Sequence, residues 1–297
     1  MGLLVMLAGA AVFVGAFMLL KPVLLRLTAR EVAREAGRPI PARWRTVLSW
    51  AVPQGHRLPL GDQERWLRRI RELIVTTRWE GCSGLVLTEA MQLTVAGQAS
   101  LLTLGLGEAS YRGLREILLY PRTFVPTRVC DPLARPSADN LERPLPELGE
   151  AWSNGIVVLS WDSARDGAAN PRDGRNVVYH EFAHQIDYDH GLTAGARTDR
   201  SFQEAVDRGF VPDVDAWERA VTESFAQLCD KTNAGTPSVL DPYGATNLSE
   251  FFAVATEAFF ERPSALAAEY PALFGQLKAM YRVDPTTWTD AISGPGA

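Results

Sequence analysis

Residues 2–20 run without a single charge, and the chain then changes at once to mixed charged and apolar positions. As an α-helix those nineteen residues would cover about 28 Å, close to the ~30 Å hydrocarbon layer of a bilayer. The pattern predicts a transmembrane helix, and a membrane anchor over residues 1–21. Lys21, Arg26, Arg30, Arg34 and Arg38 follow the apolar run and none precedes it. A cleaved signal peptide would open on positive charge, so this order favours an uncleaved, single-pass anchor. Positive charge after the span keeps that side in the cytoplasm, at the cytoplasmic (inner) membrane.

Beyond the anchor, residues 26–37 suit a linker helix that Pro39 and Pro41 break, which sets a linker over 22–40. Residues 62–79 repeat Trp66, Ile70, Leu73 and Ile74 at helical spacing, an amphipathic helix. Residues 88–106 are apolar but interrupted by Glu89, Gln92 and Gln98, which predicts a buried helix and not a second span. Residues 116–120 and 156–161 read as strands, with a loop over 162–174. Helices are then expected over 176–191, 213–231 and 248–260, with a turn at 241–244 and a last helical stretch over 264–281. The sum is an α+β domain over 41–290, mostly helical with a small sheet, preceded by one N-terminal transmembrane helix and followed by a tail, 291–297.

Composition narrows the function classes. A net charge of −5 offers no unbalanced basic surface, so nucleic acid is not an expected partner. Cys82, Cys130 and Cys229 are odd in number and show no C-x-x-C spacing, which excludes a disulfide framework and a cysteine zinc site. His56 stands alone and is read as structural or exposed.

The chemistry gathers at Tyr179-His180-Glu181-Phe182-Ala183-His184-Gln185. Two histidines four apart on a helix project from one face and can reach one metal ion. Glu181 points about 100° further round, which suits a general base better than a ligand. The arrangement reads as a zinc hydrolase with one Zn2+ per chain. A catalytic zinc keeps three protein ligands and one open position, and two residues compete for the third place. His190 lies six residues after His184, at metzincin spacing, although Asp187 stands where that pattern has glycine. Glu250 would give the two-histidine, one-glutamate set, yet with Asn247 as N-cap it could equally be a capping glutamate. Asp187, three residues after His184 on the same face, can accept from the outer N–H of a ligating histidine, or be a solvated helix-end acid. Glu257, two turns after Glu250, could take the same supporting role.

The run Tyr243-Gly244-Ala245-Thr246-Asn247-Leu248-Ser249-Glu250-Phe251-Phe252-Ala253, taken with residues 180–187, resembles the glucose-regulated metallopeptidase family typified by Mlc titration factor A. The similarity extends from about residue 44 to 284, with Gly155–Trp161 and Glu257-Ala258-Phe259-Phe260 in the expected places. The same run is more distantly similar to the second half of the anthrax lethal factor catalytic domain. The resemblance implies a zincin-like fold, zinc held by His180, His184 and Glu250, Glu181 as general base, and Tyr243 near the developing oxyanion. The family's namesake lacks the N-terminal span. The expected function is a zinc peptidase acting on a peptide or protein substrate. A zinc-stabilised binding module that sequesters a regulatory protein is the alternative, with a transcription regulator as partner by family analogy alone.

Overall fold

A computed structural model describes residues 34–106, 111–122, 155–193 and 200–288. The chain divides into two compact units, 1–40 and 41–297, and the elements named here all lie in the second. The expected span at 2–20, Cys130 and the tail at 291–297 lie outside the described residues. Among the described residues no helix is long and apolar enough to cross a membrane.

Among the described residues the unit is mostly helical with a small three-stranded parallel sheet, an α+β arrangement. Helices α1 (Ala42–Ala51) and α2 (Leu60–Thr76) lead into strand β1 (Arg78–Gly81). The helix α3 (Glu89–Leu102) then crosses to β2 (Glu116–Tyr120), and β3 (Ile156–Ser160) completes the sheet in the order β1-β2-β3. In register, Ile117 sits beside Val157 and Leu119 beside Leu159, and these four are buried. Alternate positions therefore present one continuous apolar face. Gly155, just before β3, has φ +71°, and a Cβ there would lie 2.0 Å from the Gly113 carbonyl oxygen. Only glycine fits that approach.

Helix α3 is buried from Leu93 to Leu102 and touches α1, α2 and two later helices. These two are α4 (Trp161–Ala169) and α5 (Val177–His190). The expected loop over 162–174 is thus largely helix. Ala164 and Ala168 turn inward while Arg165 and Asp166 stay exposed, and Gly167 faces Asn176, where a Cβ would come within 3.3 Å of its side chain. The polar and glycine residues that suggested a loop are thus spread around an amphipathic helix. The expected helix over 62–79 ends at Thr76, because the chain from Arg78 pairs with β2 as an edge strand.

After α6 (Arg200–Asp207) and α7 (Val214–Asn233), helix α8 (Leu248–Glu261) returns to the centre. The stretch expected as one helix over 264–281 is two, α9 (Pro263–Glu269) and α10 (Pro271–Tyr281). Pro271 cannot donate its backbone nitrogen to continue α9 and starts α10 instead. Phe259, Phe260, Phe274, Tyr281 and Trp288 pack ring against ring beneath α8.

Helices α5 and α8 run antiparallel in close contact. Asn176 meets Glu261, Tyr179 packs on Phe260, and His184 meets Ser249. Asn176 caps α5: its side-chain oxygen accepts from the Val178 and Tyr179 N–H groups, each at 3.1 Å. Its amide nitrogen donates to Gln98 Oε1 at 2.9 Å and to Glu261 Oε1 at 3.0 Å, and its backbone N–H donates to Glu257. Asn176→Ala is expected to lower the unfolding free energy by about 2–4 kcal/mol, through the lost cap and the stranded buried partners. Urea unfolding measures this, and a change within about 0.5 kcal/mol, typical of an uninvolved surface site, would contradict it.

Candidate metal centre

His180 and His184 sit one turn apart in α5, which starts at its Asn176 cap and stops at Gly191 in the left-handed conformation, φ 62°. Glu250 lies in the first turn of α8, where Asn247 accepts from the Glu250 N–H at 2.9 Å. The cap is therefore made, but the Glu250 carboxylate turns to the histidines. Its Oε2 lies 3.0 Å from His180 Nε2 and 3.4 Å from His184 Nε2, and the two Nε2 atoms are 3.2 Å apart. Among the described residues these three side chains form the one group of histidine, cysteine and acidic donors able to hold a metal ion. Donors about 2.0–2.1 Å from a tetrahedral ion lie roughly 3.3–3.4 Å from each other, so the triangle fits a single small cation.

The outer ring nitrogens are engaged as well. Glu257 Oε1 lies 2.8 Å from His180 Nδ1, and a carboxylate can only accept, so Nδ1 carries a proton and Nε2 is the nitrogen turned to Glu250 and the shared space. His184 Nδ1 lies 3.0 Å from Ser249 Oγ. Asp187 makes no direct bond of this kind. Its Oδ2 accepts from Ser249 Oγ at 3.0 Å, so it reaches His184 at one remove. The spacing on α5 placed Asp187 on the correct face, but α8 inserts Ser249 between the two groups. Ser249 carries no signal in the sequence beyond standing next to Glu250.

Charge explains the pull on a cation. Burial opposes a charged His180, but hydrogen bonds to Glu250 and Glu257 and the charges of Glu257 and Glu181 raise its pKa to about 10. Burial likewise opposes the Glu250 carboxylate, and His180 and His184 outweigh it to hold the group at about 2. Glu257 is driven the other way, upward, chiefly by burial. Three carboxylates around two imidazoles leave a surplus of negative charge in a half-buried site, which a proton or a metal cation would neutralise.

Glu181 is buried beside His180 and close enough for its charge to act on both His180 and Tyr243. Tyr243, in the short turn Pro242–Ala245, is half exposed with its ring centroid 6.0 Å from that of His180. Burial, then the charges of Glu250 and Glu181, raise its pKa, so the phenol keeps its proton and can donate. An open groove of about 530 Å³ reaches His180 and Glu257 along α4, lined by Ser163, Asp166, Asn170, Asp173 and Arg175.

His190 stands apart from this cluster. It is stacked on Phe210 at 4.0 Å between ring centroids and buried. Burial, then Arg112, lower its pKa to about 4. The unfolded chain takes up this proton near pH 6.5, the fold only near 4, so stability is lost as pH falls through that window. The loss assigned to His190 is on the order of 3 kcal/mol. His190→Phe should remove that part of the acid destabilisation in urea melts between pH 7 and 4; an unchanged pH slope would contradict it.

Comparison with known proteins gives the arrangement a family. The family model described as glucose-regulated metallo-peptidase M90 matches residues 26–282. An uncharacterized protein of Synechocystis sp. is 31% identical over 249 residues, spanning 84% of this chain and 86% of that protein. Mlc titration factor A of Serratia proteamaculans is 30% identical over 250 residues, 82% of this chain and 88% of its own length. Mlc titration factor A of Yersinia pestis is 28% identical, over 82% of this chain and 85% of its own. The matched span takes in every residue of the cluster and both helices that build it, so the chain belongs to the glucose-regulated metallo-peptidase M90 family.

Proposed function

We propose that the chain is a zinc-dependent peptidase of the zincin type, hydrolysing peptide bonds with Glu181 as general base. The observation that carries this reading is the donor triangle of His180, His184 and Glu250 with a further carboxylate, Glu181, beside it. Two imidazoles and one carboxylate suit zinc and leave one coordination position open. When bound there, zinc would supply Lewis acidity, polarising a substrate carbonyl and bringing the pKa of water to about 7.

The protein's own groups divide the remaining work. Glu181 accepts the proton of the attacking water and passes it to the leaving amine. Tyr243 donates its phenolic proton in a hydrogen bond to the developing oxyanion. Glu257 holds His180 through Nδ1, and the groove along α4 gives an extended peptide a path to the site.

The name Mlc titration factor A, borne by relatives, favours a second reading, in which the domain sequesters a regulatory protein such as a transcription regulator and does little catalysis. Glu181 weighs against it, because a purely structural zinc has no use for a general base. An anchor at residues 2–20, holding the peptidase domain on the cytoplasmic face of the membrane, belongs to the same proposal and rests on the uncharged run and the basic residues after it.

Zinc content and peptide-library cleavage by the purified chain separate the readings. Glu181→Gln should keep its zinc while cleavage falls about 10²–10⁴-fold, and Glu250→Ala should lose the zinc. Unchanged turnover in Glu181→Gln would overturn the mechanism. A wild-type chain that binds zinc and cleaves nothing would favour sequestration.

A further inference from the structure

We infer that Ser249 is a positioning residue for His184, fixing the imidazole so that Nε2 faces the cation site. The inference rests on the metal reading above and adds a residue that neither the motif nor the family match assigns.

One proton decides the tautomer. A serine hydroxyl has a single proton to give, and Ser249 Oγ gives it to Asp187 Oδ2 at 3.0 Å. Toward His184 the same oxygen can then only accept, so the 3.0 Å contact at Nδ1 requires the proton to sit on Nδ1. His184 Nε2 is left with its lone pair, aimed at the space shared with His180 Nε2 and Glu250 Oε2. Both ring nitrogens of His184 are thus met by consecutive residues of one helical turn, Ser249 on the outer side and Glu250 on the inner.

Asp187 is itself tied down. Its Oδ1 accepts from the Thr193 N–H at 2.8 Å, and its Oδ2 accepts from the Thr193 hydroxyl. A carboxylate held at the end of α5 therefore orients a hydroxyl on α8, which orients a histidine one turn back on α5. His180 needs no such intermediary, because Glu257 reaches its Nδ1 directly. His184 and Asp187 are buried, so water has little access to replace a lost hydroxyl.

The test is zinc affinity of the full chain, measured by chelator competition after removal of metal, for wild type, Ser249→Ala and Ser249→Thr. Melting of the metal-free proteins is followed alongside. Ser249→Ala should bind zinc about 10–100-fold more weakly, the usual effect of losing the group that orients a ligating histidine, and Ser249→Thr should restore most of the affinity. Wild-type affinity in Ser249→Ala, with any effect confined to metal-free melting, would overturn the inference and leave the metal site standing. Equal weakness in the alanine and threonine variants would overturn it too, since the hydroxyl would not be what matters. A wild-type chain that binds no zinc would overturn the metal reading and this inference together.

Discussion

The antiparallel contact between α5 and α8 is the constraint on which the rest depends. One helix brings two imidazoles and the other brings the carboxylate that closes the triangle, so neither carries a site alone. The contact is held at both ends by polar groups and between them by rings. Asn176, Glu257 and Glu261 lock one end, Tyr179 packs on Phe260, and Asp187 with Ser249 locks the other. Gln54 adds a cross-tie, accepting from the Tyr179 hydroxyl and donating to the Phe260 carbonyl at 2.7 Å. Placement within a few tenths of an ångström follows from packing of this kind, because buried side chains in a dense interior have little room to shift.

Such a contact carries an electrostatic cost. Burial raises Glu261 to about 8, although Asn176 and the Gly174 N–H oppose the shift, and burial drives Glu257 upward as well. Taking carboxylates out of water is unfavourable unless their lone pairs are met. Here each finds donors, and those donors are the ones that set where α5 begins and how His180 is turned. The same acids that burden the fold therefore define the site's geometry and its demand for a cation.

Much of this was legible in the chain. The pair His180 and His184, the start of their helix at Asn176 and its stop at Gly191 all follow from spacing and capping. Glu257 was legible too, since seven residues past Glu250 return to the same helix face. The third donor was not: helical geometry alone could not bridge the 66 positions between His184 and Glu250, and the choice against His190 came from resemblance. The structure supplies the reason. Six residues past His184 correspond to about 240° of rotation, so His190 points away from the pair, toward Phe210. Helix α4 escaped notice because its short run of acids, glycine and alanine reads as a loop and only Ala164 and Ala168 are buried, and β1 because a charged four-residue edge strand reads as the end of the helix before it. Ser249 escaped because its role exists only once Asp187 and His184 are brought against it.

The central claim is that two turns of two helices, and not one motif, hold the ion. X-ray absorption on the zinc-loaded chain tests it most directly. The account predicts nitrogen and oxygen donors at about 2.0–2.2 Å, with scattering from two imidazoles. A three-imidazole pattern that is lost in His190→Ala and unchanged in Glu250→Ala would contradict it.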